Sequence, residues 1–204
     1  ELIAAGRMDN LSSVHASLTA FFEAPAGESL AVYAAFDHEE VGSSTRSGAS
    51  GPFLSDVLRR LTEGLGLSET DHLRALAASS CISADAGHAV HPNYPEHHDP
   101  GNRPLPNRGP LLKLNASQRY ASDAVGTSLW YRSCAAVGVP TQEFVSNNAV
   151  PCGSTIGPLT ATRLGIVTVD VGIPLLSMHS ARELCGVEDP GFLARALTAY
   201  WAGA

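Results

Sequence analysis

Residues 157–171, GPLTATRLGIVTVDV, decide the fold class. Gly157 to Leu164 suits a short helix, and it delivers the chain into Ile166 to Val171, an apolar run of the kind a strand covered on both faces shows. The same alternation continues outward in both directions. Upstream lie a helix over Asp123 to Val137 and strands over Pro110 to Asn115 and Thr141 to Val145. Downstream, Phe192 to Trp201 reads as a terminal helix. Nearer the start, Cys81 to Ala84 reads as a short buried strand preceded by helices over Phe53 to Leu65 and Asp71 to Ala78, and Leu30 to Phe36 (LAVYAAF) as a strand between Ser29 and Asp37. Segment 11 to 23 places Leu11, Val14, Leu18, Phe21 and Phe22 on one helical face, and Pro25 and Gly27 stop it. Strands alternating with helices predict an α/β domain with a mixed, largely parallel sheet and helices on both faces. Ligand sites in such sheets lie outside the carboxyl ends of the strands. With no internal repeat and no linker composition, residues 1–204 read as one domain.

Composition narrows the function. Of 204 residues, 44% are hydrophobic and 16% charged, a balance that supports a packed core and excludes disorder. No apolar run approaches the roughly 18 residues of a membrane helix. Thirteen basic against 20 acidic residues leave a net charge of −7, which repels phosphate backbones and anionic lipid, so neither nucleic acid nor membrane is an expected partner. The four cysteines, at 81, 134, 152 and 185, form no C-x-x-C pair and read as scattered thiols of a reducing compartment, the cytoplasm.

The chemistry-bearing residues fall just after predicted strands. Asp9-Asn10 reads by itself as a helix cap. Asp37-His38-Glu39-Glu40 reads either as a solvated acidic turn or as two carboxylates pointing to different sides, one for a cation and one for a proton. Asp85, with His88 and His91 beyond it, reads equally as a turn held by side-chain bonds or as an oxygen ligand with a nearby acid. His179 taken alone is a satisfied core or cap residue, and His97 and His98 are simplest as exposed side chains. Together, Asp9, Glu40, Asp85 and His179 are three carboxylates and an imidazole, ligands that zinc, manganese or cobalt accept. A bridging carboxylate holds two such ions roughly 3.5 to 4 Å apart, and hydrolysis then needs a spare base, for which Glu39 is available.

Other chemistries fit worse. Gly153-Ser154-Thr155-Ile156-Gly157 has its Ser directly after the first Gly, unlike a nucleophile elbow, and lacks the Lys of a phosphate loop. H-E-x-x-H is absent, and nothing beside Cys152 marks an activating base.

Six blocks carry a resemblance: GRMDN at 6–10, FDHEEVGS at 36–43, SADAGHAVHPNY at 83–94, GPLLKLNASQRYASD at 109–123, PCGSTIGP at 151–158 and MHSARE at 178–183. In this order they resemble the aspartyl aminopeptidase family of two-metal peptidases, over essentially the whole chain. The resemblance implies a zinc-peptidase-like α/β/α sandwich. It implies that Asp9 bridges two divalent ions, zinc with manganese or cobalt as alternatives, and that the Asp9–Asn10 bond is cis. Glu39 would be the general base acting on a hydroxide held between the ions, Glu40 and His179 would complete one metal, and Asp85 the other. His88, Lys113 and Tyr120 match substrate-contacting positions, with the Lys113 ammonium suited to an acidic N-terminal side chain of a peptide. A further metal-binding His and an inserted oligomerisation domain of that family lie upstream of Asp9 and are not matched here; His15 and His38 do not fit the motif. The chain is therefore expected to be the C-terminal portion of the catalytic domain, to show exposed apolar surface where N-terminal strands would cover it, and to belong to a homo-oligomer, commonly a dodecamer. Two alternatives stand beside this: a catalytically incomplete remnant with an assembly or binding role, and an aminopeptidase of broader specificity.

Overall fold

The 157–171 stretch folds as its pattern predicts, into a helix that ends at Gly165 in the left-handed region (φ 67°) and a strand directly behind it. The computed structural model describes all 204 residues. In chain order the elements are β1 (Leu2–Ala5), α1 (Met8–Glu23), α2 (Phe53–Gly64), α3 (Glu69–Ala78), β2 (Ser80–Ala84), β3 (Gly87–His88), β4 (Leu111–Lys113), α4 (Ala124–Ala136), β5 (Gln142–Phe144), α5 (Gly157–Leu164), β6 (Val167–Gly172), β7 (Pro174–Leu176), β8 (Glu183–Gly186) and α6 (Asp189–Trp201). No helix is long and apolar enough to cross a membrane.

The α/β class is the one expected, but the strands form two four-stranded sheets, in the orders β1-β8-β7-β3 and β2-β6-β4-β5. The pairings β2/β6, β3/β7 and β4/β5 are parallel; β1/β8, β7/β8 and β4/β6 are antiparallel. The two sheets share a seam. β6 runs on into β7 through Ile173, and β2 runs on into β3 alongside it, with Asp85 N–H donating to Val171 O (2.9 Å) and Gly87 N–H to Ile173 O (3.0 Å). A Cβ at Gly172 would run into the Asp85 carbonyl, so this crossing needs a glycine. Asp85 thus sits where one ladder hands over to the next.

Alternation along β6 separates two layers. Val169 and Val171 enter a core with Leu112, Trp130 of α4 and Leu193 and Leu197 of α6. Asp170 points the other way, toward Gly157 of α5, so helices cover both faces. Its buried carboxylate accepts from Thr155 Oγ1 (2.6 Å) and Ala121 N–H (2.7 Å), tying together two loops that reach the cleft described below.

Two expectations fail. The face α1 buries is the small one, Ser13, Ala16, Ser17 and Ala20, whereas Leu11 and Phe22 stand exposed. Short side chains let α1 pack against α6, with Ala16 and Ala20 sharing a core with Ala196, and Phe21 packs at the rim on Trp201, with ring centroids 5.4 Å apart. Leu30 to Phe36 is not a strand: it belongs to neither sheet, and Leu30 and Val32 are exposed. Its composition suits a pleated, half-buried surface, but no strand of this chain runs beside it to supply the ladder. β1, all four residues of which are exposed, likewise leaves one edge free.

Candidate functional site

The chain leaves β1 through Arg7, a left-handed residue (φ 62°), and enters α1 with a cis peptide between Asp9 and Asn10. Neither residue caps the helix. Asn10 instead donates from Nδ2 to Ala84 O (2.9 Å) and accepts at Oδ1 from Ala86 N–H (3.2 Å), stitching this turn to both sides of Asp85. Asp9 is thereby delivered to the end of β2 with its carboxylate nearly buried and accepting from His179 Nε2 at 3.0 Å.

Glu39 and Glu40 sit on a single 3₁₀ turn, Glu39–Val41, bounded by left-handed His38 (φ 69°) and Gly42 (φ 91°). The Glu40 carboxylate reaches His179 Nε2 at 3.2 Å. His179 follows β7 and is itself left-handed (φ 66°), as is Ser177 (φ 57°). One ligand atom each from Asp9, Glu40 and His179 lies within 4.8 Å of the others. Arg7, His38, Ser177 and His179 are four of the seven non-glycine residues with positive φ. Such residues cost on the order of 1–3 kcal/mol each and persist where the surroundings hold them; here more than half flank one small cluster.

The electrostatics of that cluster are one-sided. Burial, then the charges of Asp85 and Glu40, push the Asp9 carboxyl up to about 7. Burial and the same two neighbours also raise Glu39, although Lys113 and His179 oppose them. At His179 desolvation works against the charged imidazole, but Glu40 and Asp9 outweigh it and hold the pKa above its ordinary value. Several carboxylates share one proton-bearing ring, an arrangement that a cation would relieve.

Beside this cluster one carboxylate has an internal counterion. Lys113, the last residue of β4, is buried, and its Nζ donates to Asp85 Oδ2 (2.9 Å) and to Ala86 O (2.7 Å). The ammonium also lies 5.5 Å from the centre of the Tyr120 ring. Tyr120 packs with Leu111 and Phe144, and burial, with a contact to Cys152, raises its phenol. His98, expected to be exposed, is buried against Phe144 with Nε2 at 3.1 Å from His88 O; His97 is exposed and stacks on Tyr94.

All eight residues given roles from the sequence, Asp9, Glu39, Glu40, Asp85, His88, Lys113, Tyr120 and His179, line one cleft of about 460 Å³. Asp85 stands outside the tight three-atom group, with one oxygen taken by Lys113. Sequence reasoning missed two residues. Asn10 acts through the stitching above. Glu183, buried at the start of β8, accepts from Asp9 N–H (3.0 Å) at one carboxylate oxygen and from His179 N–H (2.6 Å) at the other. Both lie inside quoted blocks, GRMDN and MHSARE, which was the available signal.

The donor set suits a divalent ion of borderline hardness: two carboxylate oxygens and an imidazole nitrogen lie within 4.8 Å of one another, with a third carboxylate lining the same cleft. The surplus negative charge that lifts Asp9 is the complementary electrostatic condition.

Comparison with known proteins gives the family. The M18 peptidase model, described as aminopeptidase I zinc metalloprotease, matches residues 1–201. The chain is 52% identical over 204 residues to a probable M18 family aminopeptidase 2 of Streptomyces coelicolor, covering 98% of this chain and 47% of that protein. It is 45% identical over 201 residues to one of Clostridium acetobutylicum, covering 98% and 46%. Among solved structures, an M18 aminopeptidase of Thermotoga maritima superposes with a TM-score of 0.89 at 27% identity, covering 100% of this chain and 46% of that one. The mApe1 dodecamer of S. cerevisiae gives 0.84 at 30%, covering 99% and 46%. The chain spans about half the length of the curated relatives it matches. With the family model covering nearly every residue and a relative identical at half of them, the chain belongs to the M18 family of aminopeptidase I zinc metalloproteases.

Proposed function

We propose that this chain carries the C-terminal portion of the catalytic domain of an aminopeptidase that removes Asp or Glu from the amino terminus of peptides with two divalent ions, zinc by preference. The observation that carries the reading is the convergence of Asp9, Glu40 and His179 in a cleft that Glu39 also lines. In this assignment Asp9, Glu40, His179 and Asp85 would hold the ions. When bound, the ions supply Lewis-acid polarisation of the scissile carbonyl and acidify the attacking water.

The remaining work falls to side chains. Glu39, held above the ordinary carboxylate range by burial and its acidic neighbours, takes the proton of the attacking water and returns it to the leaving amine. The carboxylates around it neutralise the free amino terminus of the substrate. Lys113 has three N–H donors and commits two, to Asp85 and Ala86, which leaves one for an acidic substrate side chain. His88 and Tyr120 bound the same pocket. Four free cysteines favour a reducing compartment, the cytoplasm. Exposed apolar residues on β1, α1 and the 30–36 segment favour assembly into a homo-oligomer, and the S. cerevisiae relative is a dodecamer.

The test is made on the full protein by measuring bound metal and the release of Asp, Glu, Leu and Lys from aminoacyl anilides. The expected result is zinc in the protein, removed with activity by a chelator, and preference for the acidic residues. Glu39→Gln should keep the metal and lower kcat by roughly 10²- to 10⁴-fold. Full activity in Glu39→Gln, or in the metal-stripped protein, overturns the assignment. Lys113→Met should abolish the acidic preference; an unchanged preference favours broader specificity instead.

A further inference from the structure

We propose that Glu183 is a positioning residue for the cation site, one that aligns two ligands through their main chain and not by contact with the ion or the substrate. The inference rests on the metal-site reading above and adds a residue to it. Its two oxygens are divided between two segments far apart in sequence: one accepts from Asp9 N–H at 3.0 Å, the other from His179 N–H at 2.6 Å. The side chain has almost no other exposure, being 2% accessible.

Three features make this more than a fold contact. First, the two amides it holds belong to the two side chains that meet at 3.0 Å, so the carboxylate fixes their backbones from behind while their side chains face the cleft. Second, His179 is held left-handed, and a turn between β7 and β8 has no ladder partner at that N–H, so Glu183 supplies the acceptor the turn lacks. Third, a carboxylate is required by the geometry. Two N–H groups converge on it, and an amide side chain would answer one with oxygen and oppose the other with its own NH₂.

The fold contains its own control. Asp189, the first residue of α6 just beyond β8, is equally buried and also accepts main-chain N–H groups, from Asn107 (2.9 Å to Oδ2) and Gly186 (3.0 Å), but it is not among the residues that line the cleft. If buried carboxylates of this type matter only for folding, the two should behave alike.

The experiment uses the full protein, stripped of metal, with zinc affinity measured by competition against a chromogenic chelator and folding checked by circular dichroism and thermal melting. Glu183→Gln is expected to weaken zinc binding roughly 10- to 100-fold, the usual effect of removing an outer-shell partner. Asp189→Asn is expected to lower the melting temperature and leave zinc affinity within about twofold of the parent. Equal zinc affinity in Glu183→Gln and the parent overturns the proposal while leaving the metal site standing. No zinc binding by the parent overturns the metal-site reading itself. Should Glu183→Gln fail to fold, amide hydrogen exchange on the metal-free parent decides: strong protection at both Asp9 and His179 supports the bridge, and rapid exchange at either refutes it.

Discussion

Two regions of one cleft treat charge in opposite ways. At the Asp9, Glu40 and His179 cluster, like charges are pressed together and only an imidazole stands between them. A few residues away, the Asp85 carboxylate is met by a buried ammonium that donates to it at 2.9 Å and finds a second acceptor in Ala86 O. The first region has no cation of its own beyond that ring, and the second has a buried one. The difference teaches that clustered carboxylates are not equivalent: an internal counterion offsets part of the charge at Asp85, whereas its absence at the other cluster leaves a site that lowers its free energy by taking up a cation from outside.

The contrast can be broken most decisively at its two centres. Asp9→Asn should reduce zinc affinity by more than roughly 100-fold, beyond the range seen for outer-shell partners. Yet denaturant unfolding of the metal-free protein should show it as stable as the parent or more so, since a repelled charge has been removed. Lys113→Met should do the reverse to the fold. Stranding Asp85 beside a buried methionine should destabilise the metal-free protein by about 3–5 kcal/mol, the usual penalty for breaking a buried pair, and Lys113→Met with Asp85→Leu should recover most of it. The smallest effect is expected at Glu40→Gln. Its side chain is 59% exposed, so metal-free stability should stay within about 0.5 kcal/mol while zinc affinity falls less than in Asp9→Asn. If Lys113→Met proves as mild as Glu40→Gln, the two regions do not differ as described.

Much of the framework was legible because local pattern and tertiary role agreed. β6, α4 and α6 have sequences whose apolar runs or helical spacing match what they bury. Leu30 to Phe36 failed for a definite reason: apolar content reports a preference for being covered, but pairing needs a neighbour, and none runs alongside in this chain. α1 failed differently. Its large residues looked like the core face, yet close contact with α6 selected Ser13, Ala16, Ser17 and Ala20. The short strands β3, β7 and β8 carry two to four residues each, too few for any periodicity to register.

For the site, side-chain chemistry named the participants and the fold set their relations. Asp9, Glu40, Asp85 and His179 could be grouped from sequence because three carboxylates and an imidazole suit a divalent ion, and the resemblance of six ordered blocks favoured that over the cap, turn and core readings each had alone. That Lys113 is engaged by Asp85, that His98 is buried, and that Glu183 bridges the main chains of Asp9 and His179 could not be.

What the amino-acid order settled unaided was the α/β class, most element positions and the inventory of titratable groups, because periodicity and residue type act over a few neighbours. What only the assembled structure decided was which of those groups face one another, which carry a counterion and which stand behind the ligands. These are distances between residues up to 174 positions apart, set by how two sheets meet at a seam that no local pattern encodes.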